Sequence, residues 1–388
     1  MLVLLTFVLV LALLILGLSL RVRRGVPILA ELHPPAPSAW PKLSIIVPAR
    51  DEAGGIEAAL RSKLALTYPD VEVIAVDDRS ADETGAIIDR LAAEGPRLTA
   101  VHVRELPEGW LGKLHALHQG LERATGEWVL LSDADVHLAP SAMSEVIAAA
   151  EAEAADMVAV FPKMHAVSPW VDSALSSVLL FLSLGGRVWS ANDDRAPIGL
   201  GVGAFNLVRR RALVSTDALT VLKMEIADDA ALGALIKSKG LRTRFYAGRE
   251  RVHLVFMDSI GAMARSADKG GGMVGYDLWQ ALLFAPLPAL LFVGLPTAGL
   301  FLGGTHALLG AATLLILTVA HVAISTHYAA PLQGAIFWPL GQILNGAIAL
   351  RTGVRTFRHQ GVYWRGTFYP RHLLEAGRRL DPRRMRII

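Results

Sequence analysis

Two stretches without any charged side chain constrain the fold of this chain more than any other feature of its sequence. Residues 1–20 and the tract Leu278–Leu350 contain no Asp, Glu, Lys or Arg. A helix of about 20 apolar residues is long enough to cross the roughly 30 Å hydrocarbon layer of a bilayer. The sequence therefore predicts a protein that is integral to a membrane, with a charged middle segment outside the bilayer.

The positions of the arginines predict the orientation of the chain. Arg21, Arg23 and Arg24 follow the first apolar run, and the residues after Leu350 are strongly basic. Because basic residues flank the cytoplasmic ends of membrane helices, the middle segment and the tail are expected in the cytoplasm of a multi-pass inner-membrane protein. The net charge of +3 is too small to indicate nucleic-acid binding. The absence of cysteine excludes disulfides and thiolate metal sites.

Five segments follow from this pattern. They are a transmembrane anchor at 1–20, a linker at 21–41, a cytoplasmic domain at 42–270, a C-terminal transmembrane region at 271–350 and a basic cytoplasmic tail at 351–388. Three apolar stretches occur in the fourth segment, namely Trp279–Leu302, His306–Ser325 and Gln333–Leu350. A cytoplasmic tail requires an even number of crossings there, so two full crossings are predicted.

Short β-type runs alternate with helical patterns in the middle segment, which is typical of an α/β sheet covered by helices. The predicted strands are Leu43–Val47, Val71–Val76, Leu98–Val103 and Trp128–Leu131. The predicted helices are Ala53–Leu66, Asp82–Glu94, Leu111–Ala124 and Pro140–Ala154. Ligands of open α/β sheets bind beyond the carboxyl ends of the strands, so the residues after each strand are the functional candidates.

Acidic residues follow three of these strands. Glu52 lies after the first, Asp78 after the second, and Asp133-Ala134-Asp135 after the fourth. One acidic residue at a strand end is usually a helix cap, but three sets at one edge repel each other unless a cation is present. Oxygen ligands select Mg²⁺ or Mn²⁺. Since residues two apart point the same way, Asp133 and Asp135 are the predicted metal ligands.

Three segments in this order resemble the family 2 inverting glycosyltransferases: 44–52 (SIIVPARDE), 76–84 (VDDRSADET) and 131–135 (LSDAD). The resemblance covers about Lys42 to Lys269 and is strongest up to Val136. It implies a GT-A fold, here with N-terminal and C-terminal transmembrane helices, and a nucleotide-sugar donor, by resemblance a UDP-sugar. It also implies roles for individual residues: contacts to the nucleoside for Pro48, Glu52 and Asp78, contacts to the diphosphate and metal for Asp133 and Asp135, and a place near the nucleotide for Lys113.

Inverting transfer requires a base that takes the proton of the acceptor hydroxyl. The family takes this base from an acidic pair at the start of a helix, and Asp228 and Asp229 occupy that place here. Asp229 is the predicted base. The alternative is that both are carboxylates stabilised by a helix N-terminus. The glycines of Gly199–Gly203 are expected to let the backbone approach the sugar or acceptor.

The sequence departs from the processive synthases of this family. Their Gln-x-x-Arg-Trp element is missing from 263–270, which favours a single transfer, with Arg265 and Lys269 near the diphosphate or on a basic face at the membrane surface. The order of anchor, domain and apolar helices resembles transferases that glycosylate ceramide, carotenoids, hopanoid-associated lipids or diacylglycerol, which implies a membrane lipid acceptor. Two alternatives remain, a polyprenyl-phosphate sugar transferase and a non-catalytic membrane scaffold.

Overall fold

The fold is known from a computed structural model that describes residues 1–274, 279, 282–283, 285–381 and 386–387. The chain divides into two compact units, each assembled from separate chain segments. The first contains Met1–Gly25, Met164–Trp189 and Val255–His372, and the second contains Val26–Lys163, Ser190–Leu254 and Leu373–Ile388. Leu278, and Arg383 and Arg384 of the predicted tail, lie outside the described residues.

Strands alternate with helices along the second unit, as the sequence predicts, and two further strands, Gly361–Trp364 and Thr367–Pro370, lie in the first unit. The strands are β1 Leu43–Ala49, β2 Val71–Asp78, β3 Leu98–Val103, β4 Trp128–Leu131, β5 His137–Leu138, β6 Met157–Met164, β7 Asn206–Arg209, β8 Thr243–Leu254, β9 Gly361–Trp364, β10 Thr367–Pro370, β11 Leu380–Asp381 and β12 Arg386–Ile387. Among the described residues, β1 to β8 form one eight-stranded sheet in the order β3-β2-β1-β4-β7-β6-β8-β5. The four predicted strands are confirmed.

The parallel half of this sheet brings the predicted site together. β1 pairs in parallel with β2 and with β4, and β2 pairs in parallel with β3. β1, β2 and β4 are almost fully buried along their length, as expected for parallel strands, and their side chains contribute to the core of the unit. The register places Ala49 beside Asp77 and Ile46 beside Leu131, so the residues that follow β1, β2 and β4 emerge at the same edge.

The other half of the sheet contains antiparallel pairs. β7 runs antiparallel to β4 and to β6, and β5 runs antiparallel to β8. Asn206 of β7 lies opposite Leu131 at the end of β4. The mixed α/β sheet with covering helices is the architecture that the sequence predicts.

The helices are α1 Leu2–Gly25, α2 Ile56–Leu64, α3 Thr84–Ala93, α4 Gly112–Arg123, α5 Ala142–Ala152, α6 Pro169–Gly185, α7 Arg210–Ser215, α8 Ala218–Val221, α9 Asp228–Ser238, α10 Ile260–Val274, α11 Leu287–Ala289, α12 Leu295–Leu302, α13 Gly304–Tyr328, α14 Leu332–Ile336, α15 Trp338–His359 and α16 Arg371–Gly377. Short 3₁₀ helices occupy Leu29–Glu31 and Val188–Ser190, and a π-helical turn at Leu290–Gly294 joins α11 to α12. α6 lies in the first unit, although its sequence falls inside the predicted 42–270 domain.

The first unit contains several apolar helices together with the antiparallel pair of β9 and β10. Of the described helices, α1 and α13 are long and apolar enough to cross a membrane, and α6 and Leu287–Leu302 are shorter apolar segments. The stretch His306–Ser325 lies within α13, and Gln333–Leu350 is divided between α14 and α15. Part of Trp279–Leu302 lies outside the described residues. The two crossings of this region therefore stay a prediction.

Polar side chains connect the helices of the first unit. The amide of Gln333 donates to the buried carboxylate of Asp172 in α6. Asn345 Nδ2 donates to the carbonyl of Ala174 over 2.8 Å. Such bonds help to hold apolar helices together where packing alone provides little specificity.

Candidate active site

The end of β2 packs directly on the start of α4. The Asp78 side chain is 5% exposed and accepts from Arg79 Nε over 2.7 Å. A Cβ atom added to Gly112 would lie 2.4 Å from Asp78 Oδ2, so only glycine permits this contact without displacement. Asp78, the predicted nucleoside contact, thereby lies against the backbone of Gly112, the residue before Lys113.

Lys113 links three elements of the second unit. Its Nζ lies 2.8 Å from Asp133 Oδ1 after β4 and 3.5 Å from Asp228 Oδ2 at the start of α9. Burial opposes the charge of this ammonium, but the carboxylates of Asp133, Asp228 and Asp229 together raise the pKa of Lys113 above its ordinary value. Lys113 therefore remains a cation at neutral pH and is not a freely solvated charge.

Asp229 is held at both carboxylate oxygens. The backbone N–H of Gly203 donates to Oδ2 over 2.8 Å, and the N–H of Ala230 donates to Oδ1 over 2.8 Å. These two contacts fix the orientation of the carboxylate in the first turn of α9. The remaining lone pairs of an ionised carboxylate are available to a further donor.

The glycines of Gly199–Gly203 bring the chain against α9. A Cβ atom on Gly199 would lie 2.1 Å from the carbonyl oxygen of Gly233, and one on Gly201 would lie 1.9 Å from that of Asp229. The expectation that these glycines admit a sugar or an acceptor is therefore corrected for Gly199 and Gly201. What they allow is backbone packing that positions Asp229.

Gly203 lies among three charged groups. A Cβ atom there would lie 3.1 Å from Asp133 Oδ2, 3.3 Å from Asp229 Oδ2 and 3.6 Å from Lys113 Nζ. Together with Pro48, these charged residues and Asp228 line one cavity. The predicted base, the predicted metal ligand and the lysine thus converge on one point.

A methyl group at Gly203 should disturb this convergence with little damage to the fold. We expect Gly203→Ala to lower turnover in the reaction that the resemblance implies about tenfold or more, since displacement of reacting groups by about 1 Å can cost up to 100-fold. Gly201→Ala is the contrasting variant, because its methyl would overlap backbone and should lower the apparent melting temperature. Turnover and melting of both variants in detergent check this, and an unchanged turnover for Gly203→Ala would contradict it.

Asp133 and Asp135 have the chemistry of a partial cation site. Partial burial and then the neighbouring Asp133 carboxylate raise the pKa of Asp135 to about 6. Water at the exposed side of Asp135 screens part of this repulsion. No group of three or more His, Cys, Asp or Glu able to hold a metal occurs within the described residues. Two carboxylates suffice for Mg²⁺ when phosphate and water oxygens complete its shell, so the residues fit a cation that binds with a diphosphate.

The other predicted site residues are distributed over both units. Glu52 lies close enough to contribute to the raised pKa of Asp135. Arg265 and Lys269 belong to α10 of the first unit, where Lys269 Nζ lies 5.6 Å from the centre of the Trp364 ring. Their proposed contact with a diphosphate stays a prediction.

One buried residue near the acidic pair has no counterpart in the sequence predictions. Glu225 is 4% exposed and accepts from the backbone N–H groups of Ala227, Arg379 and Leu380. It attaches the C-terminal segment of the second unit to the loop that leads into Asp228. No local pattern marks Glu225, because two of its three donors are more than 150 residues away.

Comparisons with known proteins bear on the family and the fold of this chain. Residues 44–215 match the sequence model of a family described as Glycosyl transferase family 2. The solved mannosyltransferase PcManGT from Pyrobaculum calidifontis, in complex with GDP-Man and Mn²⁺, superposes with a TM-score of 0.50 at 18% identity, covering 91% of this chain and 99% of that one. At this identity the likeness shows the fold, and the predicted GT-A fold is confirmed.

Curated relatives match over shorter segments. The succinoglycan biosynthesis protein ExoO of Rhizobium meliloti is 32% identical over 32% of this chain and 34% of its own length. The β-monoglucosyldiacylglycerol synthase of Trichormus variabilis is 29% identical over 45% of this chain and 37% of its own length. A Campylobacter jejuni glucosyltransferase named for a GalNAc(5)-diNAcBac-PP-undecaprenol is 31% identical over 28% of this chain and 34% of its own length. The matches thus span little more than a third of each relative.

Proposed function

From the glycosyltransferase family 2 domain that the chain carries, we propose that it transfers one sugar from a nucleotide-sugar, a UDP-sugar, to a hydroxyl of a membrane lipid with inversion at the anomeric carbon. The observation that carries this proposal is the convergence of Asp229, Lys113 and Asp133 around Gly203. A base, a cation and a metal-binding carboxylate at one point are the groups that such a displacement requires.

Asp229 acts as the base in the proposed mechanism. As the acceptor oxygen forms its bond to the anomeric carbon, the bond from that carbon to the diphosphate breaks and the hydroxyl proton passes to the Asp229 carboxylate. The N–H groups of Gly203 and Ala230 orient the carboxylate before the acceptor binds. A general base of this kind contributes about 10²–10⁴ to the rate.

Lys113 and the carboxylates after β4 serve the leaving group. The Lys113 ammonium is held by Asp133 and Asp228, so it supplies positive charge without the cost of reorienting during the reaction. Asp133 and Asp135 would hold Mg²⁺ or Mn²⁺. When bound, the cation would neutralise charge that develops on the departing diphosphate. Pro48, Glu52 and Asp78 are proposed to contact the nucleoside.

A lipid acceptor is supported by two independent features. α1 and α13 are candidate membrane spans. Relatives that match the chain are named for diacylglycerol and undecaprenol glycolipids. We propose that the protein lies in the inner membrane, and the arginines that follow the first apolar run support a sugar-transfer site on the cytoplasmic side.

Release of nucleotide from labelled donors tests the proposal. Detergent-solubilised protein is given UDP-sugars and GDP-sugars in turn with Mn²⁺, with and without a membrane lipid extract. We expect release with one donor to be stimulated by lipid, with the label extracted into organic solvent. Proton NMR of the product gives the anomeric configuration, and retention would contradict the inverting mechanism. Absence of release with every donor from folded protein would favour the scaffold alternative.

A polyprenyl-phosphate acceptor is the second candidate. A phosphate oxygen attacks without a base, so the well-oriented Asp229 carboxylate favours the hydroxyl acceptor. The two products differ chemically, since a sugar phosphoester is released by mild acid and a simple glycoside is not. Label that survives mild acid, or that is released as part of a larger glycan, supports the hydroxyl acceptor, and label released as the free monosaccharide supports the phosphate.

A further inference from the structure

A lysine lies fully buried behind the predicted cation-binding turn. One face of α2 is buried, and it consists of residues at helical spacing, Ile56, Ala59, Leu60 and Lys63. Lys63 is the last of them. It is 0% exposed. Lysine is almost never fully buried without a partner, because the ammonium loses its hydration. An apolar side chain would fit this buried face of α2. The hydrogen bonds of the Lys63 amine therefore explain why a lysine occupies this position.

The amine of Lys63 holds the turn that contains both carboxylates. Lys63 Nζ donates to the carbonyl oxygen of Val136 over 2.5 Å and lies 3.4 Å from that of Ala59. The N–H of Val136 in turn donates to the Asp133 carbonyl over 3.4 Å, which closes the turn Asp133–Val136. Lys63 therefore fixes the far end of the turn from inside the protein.

Neighbouring contacts hold the chain that follows this turn. The N–H of Leu138 donates to Ser62 Oγ over 3.3 Å, and Thr67 Oγ1 donates to the Pro140 carbonyl over 2.9 Å. The end of α2 and the residues just after it thus secure alternate positions from 136 to 140. Of the contacts described there, that of Lys63 lies nearest to the carboxylates.

We infer that Lys63 is a positioning residue that keeps the Asp133 and Asp135 carboxylates in place for a divalent cation through its hydrogen bond to the Val136 carbonyl. This inference rests on the proposed function. The two carboxylates repel each other, so the turn tends to open unless its backbone is held. Burial lowers the pKa of Lys63 to about 7. The negative charges of Asp135 and Asp133 partly oppose this shift, which agrees with their proximity to the amine.

Binding of Mn²⁺ in the presence of UDP or GDP, followed by the electron paramagnetic resonance of free Mn²⁺ and compared with the nucleotide without protein, tests this role without turnover. Removal of groups that orient metal ligands costs about 10–100-fold in metal affinity, and we expect a loss of this size for Lys63→Met. Lys63→Gln keeps an N–H donor and should retain most of the affinity. Ser62→Ala is the matched control, because it removes the adjacent contact to Leu138 and should leave Mn²⁺ affinity unchanged.

The sign of the change separates positioning from simple charge. Loss of a positive charge alone would tighten Mn²⁺ binding, so equal or tighter binding by folded Lys63→Met would overturn the inference while the proposed function stands. If that variant does not fold, Lys63→Gln decides, and tenfold weaker or tighter binding by it would overturn the inference. Absence of Mn²⁺ binding by the unchanged protein with UDP or GDP present would overturn both the inference and the cation in the proposed function.

Discussion

Asp229→Asn should lower the rate of sugar transfer by about 10²–10⁴, which is the contribution of a positioned general base. Asn has the shape of Asp but takes up no proton from the acceptor hydroxyl. Binding of the nucleotide-sugar should change little, since the substitution does not alter Lys113, Asp133 or Asp78. Turnover with saturating lipid, and donor affinity by equilibrium binding, are the measurements.

Two controls separate loss of the base from loss of structure. Only one end of the Asn amide accepts, so either Gly203 or Ala230 loses its acceptor, at a cost of about 1–3 kcal/mol in stability. Melting in detergent shows whether the variant is folded at the assay temperature. Asp228→Asn removes the neighbouring carboxylate, which contacts Lys113, and should cost less than Asp229→Asn. A larger loss with Asp228→Asn would transfer the role of base to Asp228.

Asp135→Asn should lower turnover by about 10²–10³, a loss typical of removing one group that stabilises charge in the transition state. EDTA should abolish turnover of the unchanged protein, and added Mn²⁺ should restore it. The variant should not recover at the same Mn²⁺ concentration. Initial rates across a Mn²⁺ titration check both expectations.

The fold should tolerate Asp135→Asn. Asp135 is repelled by Asp133 in the metal-free protein, so removal of its charge should leave the melting temperature unchanged or slightly higher. Asp51→Asn is a suitable control, because Asp51 follows the neighbouring strand and accepts from Ala81 N over 2.8 Å outside the proposed cation ligands. Turnover that survives EDTA, or an equal loss with Asp51→Asn, would argue against the cation.

The parallel half of the sheet could be predicted because its signal is local. The apolar run Leu43–Val47 lies within β1, and β3 and β4 have the predicted ends. The antiparallel half gives no such signal. β8 contains Arg244, whose guanidinium pairs with Glu153 and with Asp194, the latter over 2.8 Å. Charges inside a strand are stabilised by partners distant in sequence, which periodicity does not reveal.

The candidate site shows the same division. Acidic residues at strand ends and at a helix start point to Asp78, Asp133, Asp135 and Asp229, because each lies next to an element that can be recognised from its own sequence. Lys63 and Glu225 could not be predicted in this way. Lys63 binds a backbone carbonyl more than 70 residues away, and Glu225 binds backbone N–H groups more than 150 residues away. Only the folded chain identifies these partners.

The attachment of residues 379–380 to Glu225 has a consequence for the timing of biosynthesis. Glu225 and Arg379, the first of its two distant hydrogen-bond donors, are 154 positions apart in the chain. At a translation rate of about 5–20 residues per second, roughly 10–30 s separate their synthesis. During this interval the buried Glu225 carboxylate lacks two of its donors, and the loop before Asp228 is without its anchor. The acidic pair is thus secured late, and a nascent chain has its sheet well before it has a finished active site.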